Sequence, residues 1–216
     1  MKAKWQHVLV QLVGHGVIKI QTPQYGVPLP FTCDLEILET IPAVRRAVLD
    51  FLFEHLTPHR HEFDIVSAVP GGCKVLAALL AHELNLPYIL PLCVDTHGAP
   101  SIFLYGAKKS SEGIHRILLV QEFVKNSASV ENMHRILFSQ GCITTRVVAL
   151  IDADRVNSVN RFLQYDATTS AVYDSMFRMD DVLDELETCS DRYGLQYELV
   201  HAARVHFAKM AGTLPP

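Results

Sequence analysis

The sequence predicts an α/β fold built on one parallel sheet of about five strands, with helices on both faces. Three observations predict it. Short runs of consecutive apolar residues alternate with longer segments in which apolar residues recur every three or four positions. Glycine, proline or polar residues follow most of these runs, as loops would. The 216 residues, of which 49% are hydrophobic, are enough to bury one such core.

The N-terminal segment precedes this alternation and is predicted to be an appendage. Apolar residues form a helical stripe over Trp5–Val13, and Val17–Gln21 alternates between apolar and polar residues as a strand would. Pro42 suits the first turn of a helix that continues over Ala43–Leu56. We expect a single domain over 1–216, made of the N-terminal segment (1–42), a core (43–188) and a C-terminal helix (189–216).

The core elements follow from the same periodicities. The predicted strands are Phe63–Val69, Tyr88–Leu92, Ile114–Val120, Arg146–Ile151 and Ala171–Phe177. The predicted helices are Cys73–Leu84, Ala128–Gln140, Asp180–Thr188 and Tyr193–Met210. Gly141 is placed to end the second of these helices in the left-handed conformation.

Composition excludes several classes of protein. A net charge of −4 argues against a nucleic-acid binder, and no apolar run approaches the roughly 20 residues that a membrane-spanning helix needs. The five cysteines are scattered and form no Cys-x-x-Cys pair, which favours neither a disulfide scaffold nor a zinc site. His59 and His61 form a close pair with no third ligand nearby, so we predict no metal site. We expect a cytoplasmic protein.

Ligands of parallel sheets bind at the carboxyl ends of the strands, which directs attention to three loops. In Val69–Gly72, the glycines Gly71 and Gly72 would let a ligand approach the backbone closely, although a plain strand-to-helix turn is equally consistent. The segment Cys93–Ser111 has the length of a lid, and the alternative is a hairpin in which Ser101–Tyr105 forms a strand.

The third loop, Gln121–Ser129, carries the groups that a phosphorylated sugar would use. The Glu122 carboxylate could accept sugar hydroxyls. An anion site at the start of the next helix is predicted from Lys125, Asn126, Ser127, Ala128 and Ser129. The alternative is an ordinary helix start with Ser127 or Ser129 as the N-cap.

The order of these features resembles that of the type I phosphoribosyltransferases, and most closely that of orotate phosphoribosyltransferase. Asp64–Ala77 is similar to the family's strand, glycine loop and helix. His97-Gly98 falls where the family has its mobile catalytic loop, and Ile117–Val130 falls on its phosphoribosyl-pyrophosphate signature. The resemblance covers about Val10–Leu186.

This resemblance implies a Rossmann-like core with a small N-terminal hood, formed here by residues 1–42. It implies transfer of ribose 5-phosphate from phosphoribosyl pyrophosphate (PRPP) to a base in nucleotide metabolism, with Mg²⁺ held mainly by the pyrophosphate. It assigns catalytic roles to Glu122 and His97 and ligand-binding roles to Gly71, Gly72 and residues 125–129. It also implies a homodimer in which each mobile loop reaches the neighbouring site.

The sequence departs from the family's pattern where the chemistry is concentrated. The adjacent acidic pair is Gln121-Glu122, so one carboxylate is lost, and the phosphate loop after Lys125 lacks glycine. No Arg or Lys precedes His97-Gly98, although Lys108 and Lys109 follow and could take that part. The sequence therefore favours a relative that binds a nucleotide, base or phosphate with weak or no transferase activity. The alternatives are an active transferase with a rewired site and an enzyme with altered ribosyl chemistry.

Overall fold

A computed structural model describes residues 2–20, 31–70, 73–96, 99–105, 114–153, 158–165, 171–188 and 197–210. The helices are α1 (Lys2–Gly14), α2 (Leu35–Thr40), α3 (Pro42–Leu56), α4 (Lys74–Glu83), α5 (Ala128–Ser139), α6 (Ser158–Tyr165), α7 (Met179–Thr188) and α8 (Tyr197–Met210). The strands are β1 (Ile18–Ile20), β2 (Phe31–Cys33), β3 (Ile65–Ala68), β4 (Tyr88–Thr96), β5 (Ala99–Tyr105), β6 (His115–Val124), β7 (Cys142–Asp152) and β8 (Val172–Arg178). A 3-10 helix over Thr57–Glu62 joins α3 to the start of β3.

The chain divides into two compact units. The first combines residues 1–48 with residues 177–216. In it, β1 pairs with β2 antiparallel, and α1 packs against α7. Its core comes from the apolar faces of three helices: Val8, Leu9, Leu12 and Val13 of α1, Val182, Leu183 and Leu186 of α7, and Val200, Ala203 and Phe207 of α8.

The second unit, residues 49–176, is organised around a six-stranded sheet that ends in β8. The strand order is β5-β4-β3-β6-β7-β8. Strand β3 pairs in parallel with β4 on one side and with β6 on the other, and β6 pairs in parallel with β7. The predicted sheet of five parallel strands flanked by helices is confirmed. The sheet also holds β5, which pairs antiparallel to β4 as a hairpin.

The hairpin answers the question that the sequence left open for Cys93–Ser111. Strand β4 continues to Thr96, which lies opposite Ala99 of β5, and the pairing extends back to Leu90 opposite Tyr105. The hairpin alternative is therefore confirmed for the described residues, and the interpretation of the segment as a lid stays a prediction. Lys108 and Lys109 lie outside the described residues.

The strands of the second unit are buried because helices cover the sheet. All four residues of β3 are buried, as are Ile117–Val120 of β6 and Arg146–Ile151 of β7. Helix α4 packs against β3, and α5 packs against β7. The largest apolar cluster of this unit comprises Ile65, Val69, Ile89, Ile117, Leu119, Val124, Val130, Met133, Leu137, Cys142, Val147, Ala149, Val159 and Leu163.

A bulge interrupts the pairing of β6 with β7. The register passes from Ile117 opposite Thr144 to Leu118 opposite Arg146, so Thr145 has no partner residue on β6. The Thr145 hydroxyl donates to the backbone oxygen of Glu62 at 2.8 Å. The bulge therefore ties β7 to the 3-10 helix that precedes β3.

An ion-pair cluster surrounds Arg146 beside this bulge. The Arg146 side chain is 4% exposed and donates to the carboxylates of Glu62, at 2.8 Å, and Asp174. Each carboxylate also contacts a histidine: Glu62 lies 2.7 Å from His59 Nδ1, and Asp174 lies 3.6 Å from His55 Nε2. We call these five residues the Arg146 cluster. It links α3 and the 3-10 helix to β7 and β8.

Three helix ends among the described residues are followed by a residue in the left-handed conformation that the sequence predicted for Gly141, and the first is Gly16 after α1, with φ +71°. Gly141 follows α5 with φ +80°, as expected for a C-terminal glycine. Asn85 follows α4 with φ +52°, and asparagine is among the residues that tolerate this region best. No helix among the described residues is long and apolar enough to cross a membrane.

Candidate functional site

A cavity of about 260 Å³ opens where β3 and β6 end and α5 begins. Such an edge is where parallel α/β sheets bind their ligands. Its lining comprises Val69, Pro70 and Cys73 after β3, Gln121, Glu122 and Phe123 of β6, and Lys125, Asn126 and Ser129 at the start of α5. The cavity thus joins two of the three loops that the sequence singled out.

The polar residues Gln121 and Glu122 belong to β6 rather than to the loop after it. The apolar run predicted a strand that ends at Val120, but β6 continues to Val124. The extension occurs because β7 continues beside it, with Ala149 opposite Gln121 and Asp152 opposite Val124. The strand backbone therefore positions Glu122 in the lining of the cavity.

Gln121 is the buried polar side chain of this lining. Its side chain is 6% exposed, and its Nε2 donates to the backbone oxygen of Phe123 at 3.1 Å. That hydrogen bond fixes the orientation of the amide, since a carbonyl oxygen can accept only from the nitrogen end. Gln121 Oε1 is buried and has no hydrogen-bond partner among the described residues. It remains a neutral acceptor beside the cavity.

The backbone at the start of α5 is already engaged by groups of the chain itself. The N–H of Ser127 donates to Ser158 Oγ at 2.8 Å, and the N–H of Ala128 donates to Asn126 Oδ1 at 3.1 Å. The Ser127 hydroxyl donates to Glu131, which lies in the first turn of the helix. Ser127 occupies the N-cap position, but its side chain makes no capping hydrogen bond. Two of the amides expected to hold an anion thus have internal acceptors.

Electrostatically, the cavity carries one carboxylate and one ammonium group among its described lining residues. The carboxylate is that of Glu122, and the ammonium is that of Lys125, an exposed residue whose Nζ lies 6.0 Å from the centre of the Phe123 ring. At that distance the cation contacts the aromatic face weakly.

Tyr88, at the start of β4, lies outside the cavity lining. Burial and the nearby Cys73 raise the pKa of its hydroxyl above the ordinary value, so that group stays protonated in neutral solution.

The structure brings together about half of the predicted site residues. Glu122, Lys125, Asn126 and Ser129 line the cavity. Ser127 and Ala128 lie in the same helix start but are not part of its lining. The predicted residues Gly71, Gly72 and His97 lie outside the described residues.

Five residues of the lining were not predicted as site residues: Val69, Pro70, Cys73, Gln121 and Phe123. Gln121 was noted as the position of a lost carboxylate, and its place beside Glu122 was the signal that it lies at the same edge. Cys73 directly follows the glycine loop and is 1% exposed. A buried cysteine usually serves as a small apolar residue, so nothing in the sequence pointed to the cavity. Among the described residues, no three His, Cys, Asp or Glu side chains are grouped as metal ligands.

Known proteins provide an independent comparison. No protein-family model matches the chain. Its sequence is 24% identical over 188 residues to orotate phosphoribosyltransferase of Caenorhabditis elegans, an alignment that covers 85% of this chain and 76% of that protein.

Two solved structures are similar in fold. One is UMP synthase of Leishmania donovani, with a TM-score of 0.72 and 18% identity. The similarity covers 94% of this chain but 42% of that protein, so this chain spans less than half of its length. The other is orotate phosphoribosyltransferase from Aeropyrum pernix, with a TM-score of 0.66, 19% identity and coverage of 83% of this chain and 97% of that one. The resemblance found in the sequence is confirmed: the chain has the type I phosphoribosyltransferase fold and is similar to orotate phosphoribosyltransferase.

Proposed function

We propose that this chain is an orotate-phosphoribosyltransferase-like protein that binds a nucleotide, base or phosphate, with weak or no transferase activity. The observation that carries the proposal is the cavity, which brings the Glu122 carboxylate and the start of α5 together at one edge of the sheet. In this proposal Glu122 accepts hydrogen bonds from ribose hydroxyls, and Lys125, Asn126 and Ser129 lie beside the rest of the ligand. The family resemblance adds ligand-binding roles for Gly71 and Gly72, which lie outside the described residues.

Weak transferase activity is expected because the chain lacks charged side chains that the family uses in the reaction. Gln121 supplies a neutral amide where a second carboxylate would hold the ribose. The sequence Pro91–Thr96 before His97 contains no Arg or Lys to offset the charge that develops on departing pyrophosphate. Removing one such transition-state contact commonly costs about 10²–10³ in rate.

The alternative is an active, PRPP-dependent transferase with a rewired site. Lys125 favours it, because this cation shares the cavity with Glu122 and could meet a phosphate or pyrophosphate. The described lining offers one carboxylate, too few to hold a resident Mg²⁺. The ion would therefore arrive with PRPP and supply charge neutralisation for the leaving pyrophosphate, while Glu122 orients the ribose.

Two measurements on the same preparation distinguish these functions. Isothermal titration with orotate, UMP, AMP and PRPP plus Mg²⁺ tests binding, and we expect at least one of them to bind. Glu122→Gln should weaken that binding, whereas Glu54→Gln, an exposed glutamate of α3 that changes the net charge equally, should leave it unchanged. Failure of all ligands to bind would contradict the proposal.

A pyrophosphate-release assay tests transfer. We expect turnover with orotate or other bases to be undetectable, or at least about a thousandfold below that of an ordinary enzyme, because several transition-state contacts are lost together. Fast turnover that collapses in His97→Ala or Lys108→Ala would establish the active alternative instead, with those groups replacing the missing cations.

A further inference from the structure

Glu131 lies in the first turn of α5, two residues after Ser129 of the cavity lining, and its carboxylate is held in place from two sides. One oxygen accepts a hydrogen bond from the Ser127 hydroxyl, and the other lies 3.4 Å from Arg135 Nη2. Its backbone N–H donates to the Ser127 oxygen at 2.8 Å. The side chain is 27% exposed. A negative charge is thus fixed at the N-terminus of the helix.

That position is the one at which a ligand phosphate would be stabilised. The first N–H groups of a helix and the helix dipole attract an anion. They attract a carboxylate of the chain itself as well as an anion of a bound ligand. Here Glu131 supplies the charge, Ser158 accepts from the Ser127 amide, and Asn126 accepts from the Ala128 amide. A phosphate bound at this helix start would lie close to a like charge and would compete with these acceptors.

An independent observation in the same cavity indicates what kind of ligand it accommodates. Gln121 is more than nine-tenths buried, and its Oε1 has no hydrogen-bond partner among the described residues. A buried acceptor of this kind costs free energy until a donor reaches it. Because the amide nitrogen is held by Phe123 and the amide oxygen can only accept, the matching group is a hydrogen-bond donor such as a sugar hydroxyl, which an ionised phosphate is not. The neighbouring Glu122 carboxylate also accepts from donors.

We propose that Glu131 is a specificity-determining residue that lowers the affinity of the cavity for phosphorylated ligands, so that a nucleoside binds at least as tightly as its 5′-monophosphate. This inference rests on the proposed function, since it concerns the ligand of the same cavity. It requires no contact between Glu131 and the ligand. The carboxylate acts through its charge at the start of α5, next to Asn126 and Ser129 of the lining.

The test is the ratio of two dissociation constants. Isothermal titration measures uridine against UMP, and adenosine against AMP, for the parent chain and for Glu131→Gln. We expect Glu131→Gln to bind the monophosphate at least about tenfold tighter, which corresponds to about 1.4 kcal/mol, and to leave the nucleoside unchanged. Glu131→Asp, which keeps the charge, should retain the preference of the parent. Glu54→Gln controls for the change in net charge, and thermal melting confirms that each variant is folded.

The outcomes separate this inference from the proposed function. A parent chain that binds UMP or AMP much more tightly than the nucleoside, with a ratio that Glu131→Gln leaves unchanged, overturns the role of Glu131 while the proposed function stands. Binding of neither nucleoside nor monophosphate by any variant overturns the role of Glu131, and it overturns the proposed function as well when orotate and PRPP also fail to bind. If Glu54→Gln also binds the monophosphate more tightly, net charge rather than the position of Glu131 sets the preference, and the role of Glu131 is overturned.

Discussion

Arg146 is a cation buried between two carboxylates on different elements, and its loss would leave both without a counter-charge. We expect Arg146→Met to lower the free energy of unfolding by about 2 kcal/mol, less than the roughly 3–5 kcal/mol typical of fully buried pairs. The lower figure reflects Glu62 and Asp174, whose side chains are 27% and 28% exposed. Urea denaturation followed by circular dichroism measures the change.

The matched control is Arg116→Met. Arg116 pairs with Asp64 at 2.7 Å, but both side chains are about two-fifths exposed, so water compensates for most of the loss. Equal destabilisation by the two variants would contradict the view that burial makes the Arg146 cluster important.

The same carboxylates predict how stability depends on pH. A hydrogen bond from His55 lowers the pKa of Asp174, with Arg146 adding to the effect. Burial raises the pKa of Glu62, but hydrogen bonds from His59 and Arg146 outweigh it and leave that pKa below its ordinary value. Carboxyls with a depressed folded-state pKa stabilise the fold above the unfolded pKa, near 4, and lose that contribution as pH falls through the folded value.

We therefore expect the melting temperature to fall as the pH is lowered from about 5 to 3, and to fall less steeply in Arg146→Met. Differential scanning calorimetry across this range measures it. A melting temperature that is flat or rises toward pH 3 would contradict the prediction.

Among individual residues, the sequence indicated which side chains lie at the cavity better than it indicated their hydrogen-bond partners. Glu122 and Lys125 were predicted from their place after an apolar run, and both line the cavity. The bond from the Ser127 amide to Ser158 could not be predicted, because it joins residues 31 positions apart through a helix that the sequence did not indicate. Helix α6 has eight residues, too short for its periodicity to stand out.

Among the elements, α5 offers a direct test of how its end is specified. Gly141 has φ +80°, and an added Cβ would meet no atom within 4 Å in the described part of the structure. We expect Gly141→Ala to cost about 1 kcal/mol of stability through backbone strain alone. Gly141→Asn should cost less, because asparagine tolerates this region, as Asn85 does at the end of α4. Thermal denaturation of the three proteins gives the order, and an alanine variant as stable as the parent would contradict it.

Strand ends were harder to predict than strand existence. The predicted strand Tyr88–Leu92 ends before β4 does, since β4 runs from Tyr88 to Thr96. The strand continues because its pairing with β3 covers Tyr88 and Ile89, whereas from Leu90 onward it pairs with β5. The pattern of apolar residues identifies the part of a strand that is buried in the middle of the sheet. Where the strand ends depends on how far the neighbouring strand continues beside it.

For the whole molecule, the resemblance to orotate phosphoribosyltransferase predicts a homodimer. Two-fold dimers are also the commonest homo-oligomers. We expect light scattering at micromolar concentration to give twice the 24.2 kDa of one chain. A mass near 24.2 kDa would contradict the prediction, and dilution across the dissociation range would show whether the assembly is obligate.

The overall topology was predictable because alternation of strands and helices leaves few arrangements of a parallel sheet. The association of the two ends of the chain in one compact unit, residues 1–48 with residues 177–216, was not. Contacts such as that of Gln6 with Glu185, 3.3 Å between Nε2 and Oε2, join the two ends of the chain across 179 positions. No local pattern encodes a contact of that separation.

Thr145, which has no partner residue on β6, changes which face of the sheet the following side chains of β7 occupy. In a regular strand, residues an even number apart share a face, which would place Cys142 on the side of Arg146. The skipped residue reverses this parity, so that Cys142 instead shares a face and an apolar cluster with Val147 and Ala149. One extra residue thus lets a single strand turn Cys142, Val147 and Ala149 toward one apolar cluster, while the Arg146 side chain lies on the opposite face. The alternation of side chains between the two faces of β7 therefore shifts by one residue between Thr144 and Arg146.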